Sequence, residues 1–139
     1  MPVKRVLPAA AAELLGQGYK YVDVRSIPEF AGGHPEGAYN VPIAHMVPGR
    51  GMVPNADFEI AMNKHFAKDA KLVFGCKSGG RSLRAAELLA SRGWTGVLDM
   101  QGGFDGERDM SGRVLIPGWR DAGLPVATAA PGRTWDELK

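Results

Sequence analysis

A chain of 139 residues with 45% hydrophobic and 23% charged residues carries enough apolar material for one domain with its own core, without help from disulfides or a structural metal. The formal charge is only +2 and the basic residues are scattered, which argues against nucleic acid as the main partner. The lone cysteine, Cys76, excludes an internal disulfide and a thiol-rich zinc site and fits a reducing compartment. No stretch is long enough to cross a membrane as a helix, so neither a membrane partner nor a location outside the cytoplasm is expected.

The start, Met1 to Ala12, resembles a secretory signal in having basic residues before apolar ones, but Pro8 breaks the apolar part and Glu13 stops it. A short helix explains it better: Pro8 suits a first turn, Ala9 to Gln17 are mostly strong helix formers, and Gly16 and Gly18 mark the end. Tyr19 to Val24 reads as a buried strand, and Arg25 and Ser26 leave it at the end where open α/β sheets place their ligands. Ile27 to Gly37, rich in Pro and Gly, reads as a loop; Ala38 to Ile43 reads as a second short strand, and His45 to Asn55 as turns throughout. Asn55 or Asp57 caps a helix that carries Phe58, Ala61, Met62, His65 and Phe66 on one face.

The apolar run Lys71 to Phe74 is a strand, and Ser82 to Arg92 is the clearest helix, with Leu83, Ala86, Leu89 and Ala90 in one stripe and Gly93 as its cap. Thr95 to Asp99 is another strand, and Gln101 to Phe104 a tight turn that can return the chain beside Cys76. Asp105 to Pro117 is charged and without period, hence an exposed insertion; Gly118 to Ala122 is one last helical turn, and Gly123 to Val126 closes the fold. The alternation of strand and helix predicts an α/β layered domain with a mainly parallel sheet over residues 1–126, followed by a partly ordered tail, 127–139.

Between strand and helix stands Phe74-Gly75-Cys76-Lys77-Ser78-Gly79-Gly80-Arg81-Ser82. A cysteine at a strand end, before a glycine-rich turn and a helix start, faces backbone N–H groups and the positive end of a helix dipole. Lys77 and Arg81 add positive charge on its flanks. All of these favour thiolate over thiol, and the thiolate is the nucleophile. A small buried hydrophobe is the competing role, but an inert cysteine has no use for two glycines and two cations beside it.

Asp23-Val24-Arg25, Glu29-Phe30 and Gly33-His34-Pro35-Glu36-Gly37-Ala38-Tyr39-Asn40-Val41-Pro42 together resemble the N-terminal signature of rhodanese domains. Cys76 to Ser82 matches their active-site loop, and Gly102-Gly103-Phe104 and Gly118-Trp119 to Val126 resemble the closing segments, so the resemblance spans residues 5–126. It implies a three-layer α/β/α domain and transfer of sulfane sulfur through a cysteine persulfide. Two departures stand out: Pro35 in place of an apolar residue, and the long Asp105–Pro117 stretch, which could restrict the acceptor if it folds over the loop.

On that resemblance Cys76 attacks the outer sulfur of thiosulfate or a similar small donor, releases sulfite and passes its persulfide sulfur to cyanide, a thiol or a protein acceptor. Gly79 and Gly80 are expected to adopt positive φ close to the sulfur, with the N–H groups of Lys77 to Ser82 around it, Ser78 included. Arg81 is expected to hold two oxygens of an anionic donor and Lys77 to steer it, while Ser82 caps the helix and donates toward the sulfur. Asp23, Arg25 and Glu29 read as support: Asp23 accepting from the catalytic turn, Arg25 pairing with Glu29. His34 is expected to bond locally, and no grouping of His, Asp and Glu has metal-ligand spacing, so no metal or cofactor is expected.

Two rival readings share the loop. Cysteine-dependent phosphatases and arsenate reductases also join Cys and Arg on an anion cradle, but with five intervening residues rather than the four here, and often with a histidine where Gly75 stands. A persulfide carrier or interaction module would keep the loop chemistry but be loaded by protein partners, with room for contact at the insertion and at Trp135.

Overall fold

A computed structural model describes residues 3–139; Met1 and Pro2, the first residues of the signal-like start, lie outside the described residues. In chain order the elements are β1 (Arg5–Val6), α1 (Pro8–Gly16), β2 (Lys20–Asp23), α2 (Ile27–Ala31), β3 (His34–Pro35), β4 (Tyr39–Asn40), β5 (Ala44–Val47), β6 (Gly51–Pro54), α3 (Phe58–His65) and β7 (Leu72–Gly75). They continue with α4 (Gly80–Ser91), β8 (Val97–Met100), β9 (Glu107–Arg108), β10 (Val114–Ile116), β11 (Val126–Ala127) and α5 (Trp135–Leu138).

Five strands form one parallel sheet in the order β1-β8-β7-β2-β4. Its central strand, β7, is buried along its whole length, which is why its sequence is continuously apolar rather than alternating. Successive side chains of β7 serve opposite faces. Leu72 and Phe74 join Val22, Phe58, Met62, Ala86 and Leu89 in one core, under α3 and α4. Val73 joins Ala11, Tyr21, Phe30, Met100, Phe104 and Trp119 in the other, under α1 and α2. The result is the three-layer α/β/α sandwich that the strand–helix alternation and the resemblance imply.

Three expectations from composition do not hold. The stretch 27–37 is not all loop: Ser26 and Glu29 form a capping box that starts α2, with Pro28 in its first turn. His45 to Asn55 is not turns throughout but the antiparallel hairpin β5–β6, paired from Ala44↔Pro54 to Val47↔Gly51. The Pro and Gly content that signalled turns is spent on the tip between the strands and on their ends. The third concerns residues 127–139, whose composition suggested a partly ordered tail. They pack onto the sandwich: Trp135 and Leu138 of α5 are buried in the α3/α4-side core, and Leu138 O accepts from His65 Nε2 at 2.6 Å.

The Asp105–Pro117 insertion is exposed as expected and is built as the short hairpin β9–β10. The last helical turn also appears, closed by an Ala122 N–H to Gly118 O bond of 3.1 Å, and β11 then pairs antiparallel with β3 to close the fold. His34 bonds only in part locally: it is buried and stacked on Phe30 at 3.8 Å with Nδ1 2.9 Å from Phe30 O, while Nε2 lies 3.3 Å from Ala129 O near the C-terminus.

Candidate active site

Cys76 follows directly on β7, at the C-terminal edge of the parallel sheet, the edge where such sheets hold their ligands. It is buried, 2% exposed, between the strand and the start of α4. The Gly79 N–H donates to its Sγ at 3.1 Å. That contact requires Gly79 to take φ +113°, a left-handed conformation open to glycine and strained for other residues. Gly79 is the N-terminal cap residue of α4, so the sulfur also faces the positive end of a twelve-residue helix.

Several expectations are corrected here. Gly80 does not share the positive φ; it is the first helical residue of α4. Among the described residues, Gly79 alone supplies an N–H within hydrogen-bond distance of the sulfur. Ser82 does not point at the sulfur either: it is buried and its Oγ turns back to Gly79 O at 3.4 Å. Lys77 and Ser78 lie exposed on the rim of the loop.

The pairing of the supporting charges also differs. Arg25 does not reach Glu29. Its Nε and Nη2 clasp Asp23 at 2.7–3.1 Å, and Nη2 also donates to Gly33 O at 2.7 Å. Asp23 therefore takes its side-chain hydrogen bonds from Arg25, not from the catalytic turn. Glu29 instead takes Arg81 in a two-pronged pair, Nη1 to Oε1 at 2.8 Å and Nη2 to Oε2 at 2.9 Å. Burial would raise the Glu29 pKa, but hydrogen bonds from Arg81 and Ser26 overcome it and hold the carboxyl down at about 2. Those bonds raise the Arg81 pKa in turn, so its guanidinium stays charged. The carboxylate that caps α2 thus fastens that helix to the loop that carries Cys76.

The Gly102-Gly103-Phe104 turn comes beside Cys76 as expected. Phe104 N–H donates to Cys76 O at 2.7 Å and Asp105 N–H to Lys77 O at 2.9 Å, so the backbone of the turn clamps the first half of the loop. A side chain on Gly103 would collide with Cys76 O, 2.7 Å from the position of its first carbon. Gly75 is just as constrained: any Cβ there would run into the Tyr21 hydroxyl and ring. The position before Cys76 therefore has no space for the histidine that phosphatase loops often carry.

Of the cavities that border the loop, two are lined by Lys77. One of about 520 Å³ is lined by Lys77, Ser78, Asp105, Arg108, Arg120 and Asp121, so the base of the insertion does border the catalytic loop. The other, about 400 Å³, lies between Ser26, Glu29, Lys77 and Arg81 on one side and Pro28, Met46 and Met52 on the other. Met46 and Met52 belong to the hairpin that composition hid, and neither is legible as a site residue in the sequence.

The rhodanese-like domain model matches residues 7–107. The chain belongs to the rhodanese-like domain family. This rhodanese-like domain is 38% identical to thiosulfate sulfurtransferase 16, chloroplastic, of Arabidopsis thaliana, over 84% of this chain and 86% of that protein. It is 47% identical to the senescence-associated protein DIN1 of Raphanus sativus, over 84% of this chain but only 56% of the radish protein. Thus it spans little more than half of that relative's length. Among solved structures, the crystal structure of Rv0390 from M. tuberculosis superposes with a TM-score of 0.77 at 28% identity, covering 93% of this chain and 100% of that one. The family and the α/β/α fold are therefore shared with these proteins.

Proposed function

We propose that this domain is a sulfurtransferase that takes sulfane sulfur from thiosulfate or a similar small donor and carries it as a Cys76 persulfide. The observation that carries the reading is the Cys76 sulfur seated on the Gly79 N–H at 3.1 Å, at the start of α4 and beside an Arg81 whose charge is secured by Glu29. The Cys76 thiolate attacks the outer sulfur of thiosulfate; a Cys76 S–S bond forms, the thiosulfate S–S bond breaks, and sulfite leaves with the electron pair. An acceptor thiolate or cyanide then attacks the outer persulfide sulfur and returns Cys76 to the thiolate. The same N–H and helix end serve the thiolate and the persulfide anion, so neither half-reaction calls for a rebuilt loop.

Incubation with thiosulfate followed by intact-protein mass spectrometry is expected to show a one-sulfur adduct on Cys76 that a thiol removes. Absence of the adduct would eliminate thiosulfate as donor. Arg81 is assigned to the donor's oxygens, with Lys77 and Ser78 at the rim. Arg81→Ala is expected to lower kcat/KM for thiosulfate about 10–100-fold, the worth of a charge-assisted hydrogen-bond pair, with Arg81→Lys recovering part of it. Unchanged steady-state kinetics in Arg81→Ala would reduce the arginine to a partner for Glu29.

A second reading is favoured by one observation. Met46 and Met52, which line the cavity beside the loop, expose apolar surface at 57% and 39%. Flexible, apolar methionine surface suits contact with a macromolecule. On that reading the domain is a persulfide carrier loaded by a protein donor. The same spectrum decides: a protein persulfide, and not thiosulfate, would then add the sulfur.

A further inference from the structure

A charged pair that the chemistry above does not use joins the sheet to the loop that carries Cys76. Arg5 and Asp99 are register partners on the adjacent parallel strands β1 and β8, and Arg5 Nε donates to Asp99 Oδ2 at 2.9 Å. The other arm of the guanidinium reaches over the strand ends, and Nη2 donates to Gly79 O at 3.3 Å. Gly79 is the residue whose N–H rests on the Cys76 sulfur. Its carbonyl has two further partners, Leu83 N and Ser82 Oγ, both at a long 3.4 Å. A glycine can rotate out of φ +113° at little steric cost, and the three contacts on its carbonyl are all long, at 3.3–3.4 Å. Arg5 supplies the charge-assisted contact that opposes the rotation.

Asp99 lies on β8, one strand in from the edge of the sheet. It is fully buried, and its Oδ1 has no hydrogen-bond partner among the described residues. Burial pushes its carboxyl up to about 6, against the opposing pull of Ser82 and Arg5. Arg5 of β1, Ser82 and Glu87 of α4, and Tyr21 of β2 are the groups that face it; Tyr21 is itself held neutral by burial, and Glu87 adds like charge. A carboxylate on an edge strand can reach water. This one is buried behind a guanidinium whose free arm is spent on the nucleophile's loop.

We propose that Asp99 and Arg5 are positioning residues for Cys76: the carboxylate anchors the guanidinium, the guanidinium holds the Gly79 carbonyl, and the Gly79 N–H is thereby kept on the sulfur. The inference rests on Cys76 being the sulfur-accepting nucleophile, but its test reads the thiol itself, so it is separable from the choice of donor. The measurement is the rate of Cys76 alkylation by iodoacetamide between pH 5 and 9 in wild type, Arg5→Ala, Arg5→Lys and Asp99→Asn, with thermal melts alongside.

Arg5→Ala and Asp99→Asn are expected to slow alkylation at pH 7 about fivefold, the net worth of one hydrogen bond, and to move the profile to higher pH. Wild type is expected to show an added inflection near pH 6, where Asp99 titrates, that Asp99→Asn removes. Arg5→Lys keeps the charge and one donor and is expected to recover part of the rate; it also keeps the test decisive if Asp99→Asn fails to fold. Variants that melt earlier yet alkylate with the wild-type profile would show a purely structural pair and overturn the proposal. A shifted profile in a domain that takes no sulfur from thiosulfate would uphold it while refuting the donor.

Discussion

Cys76→Ser is expected to lose at least about 1,000-fold in thiosulfate-to-thiol turnover while melting close to wild type. Both halves of that outcome come from the same geometry. Cys76 is 2% exposed and packed in the core between β7 and α4, so its replacement must fill nearly the same volume. Serine does, and its hydroxyl can still accept the Gly79 N–H that now reaches the sulfur at 3.1 Å, so no buried donor is orphaned. What serine lacks is the chemistry. A hydroxyl in that cradle stays protonated at neutral pH and forms no persulfide analogue that a thiol could discharge. Initial rates with thiosulfate, set beside a thermal melt of the same preparation, check it. Residual turnover near the wild-type level would move the nucleophile away from Cys76 altogether, because the chain has no second cysteine.

The parts of this molecule that were legible in the sequence are the ones whose signal is local. β7 announces itself by the apolar run Leu72-Val73-Phe74 and α4 by its stripe and its Gly93 cap, and Cys76 sits at their junction. The left-handed turn at Gly79 is legible for the same reason: few residues other than glycine tolerate that φ. Composition misled where a short element hides among prolines and glycines, as in α2 and the β5–β6 hairpin. There the capping box and the cross-strand register, not periodicity, specify the structure. Ion pairing was the least legible layer. Asp23, Arg25, Glu29 and Arg81 all stand in the motifs that carry the resemblance, yet Arg25 pairs with Asp23 and not with Glu29. Two residues of separation let Arg25 turn back on Asp23, while Glu29 is brought to Arg81 across 52 positions of sequence. Arg5 and Asp99 lie 94 positions apart, and only the parallel pairing of β1 with β8 brings them together.

Breaking the Asp23–Arg25 pair is the second large effect expected, and it falls on stability. Both residues are almost wholly buried, at 1% and 3% exposure. The carboxylate receives Arg25 N and Nε at 3.0 Å on Oδ1 and Nη2 at 2.7 Å on Oδ2, and the guanidinium lies 4.5 Å over the Phe104 ring. Removing one partner leaves the other as an uncompensated buried charge, which costs about 3–5 kcal/mol. That is a large fraction of the roughly 5–15 kcal/mol by which a domain of this kind is stable. Arg25→Ala and Asp23→Ala are each expected to lower the urea midpoint by that equivalent, whereas the double change Asp23→Leu/Arg25→Met, which removes both charges and keeps the volume, should cost much less than the two singles added together. The loss should also reach the nucleophile, because Asp23 is the register partner of Gly75, and Arg25 ties the Gly33 carbonyl to the face of Phe104, whose N–H clamps Cys76 O. Thiosulfate turnover measured well below the melting range is therefore expected to fall in the single variants as well. Single variants that unfold at the wild-type urea midpoint would show that neither charge depends on the other, and the strand-end clasp would then have no part in holding the loop.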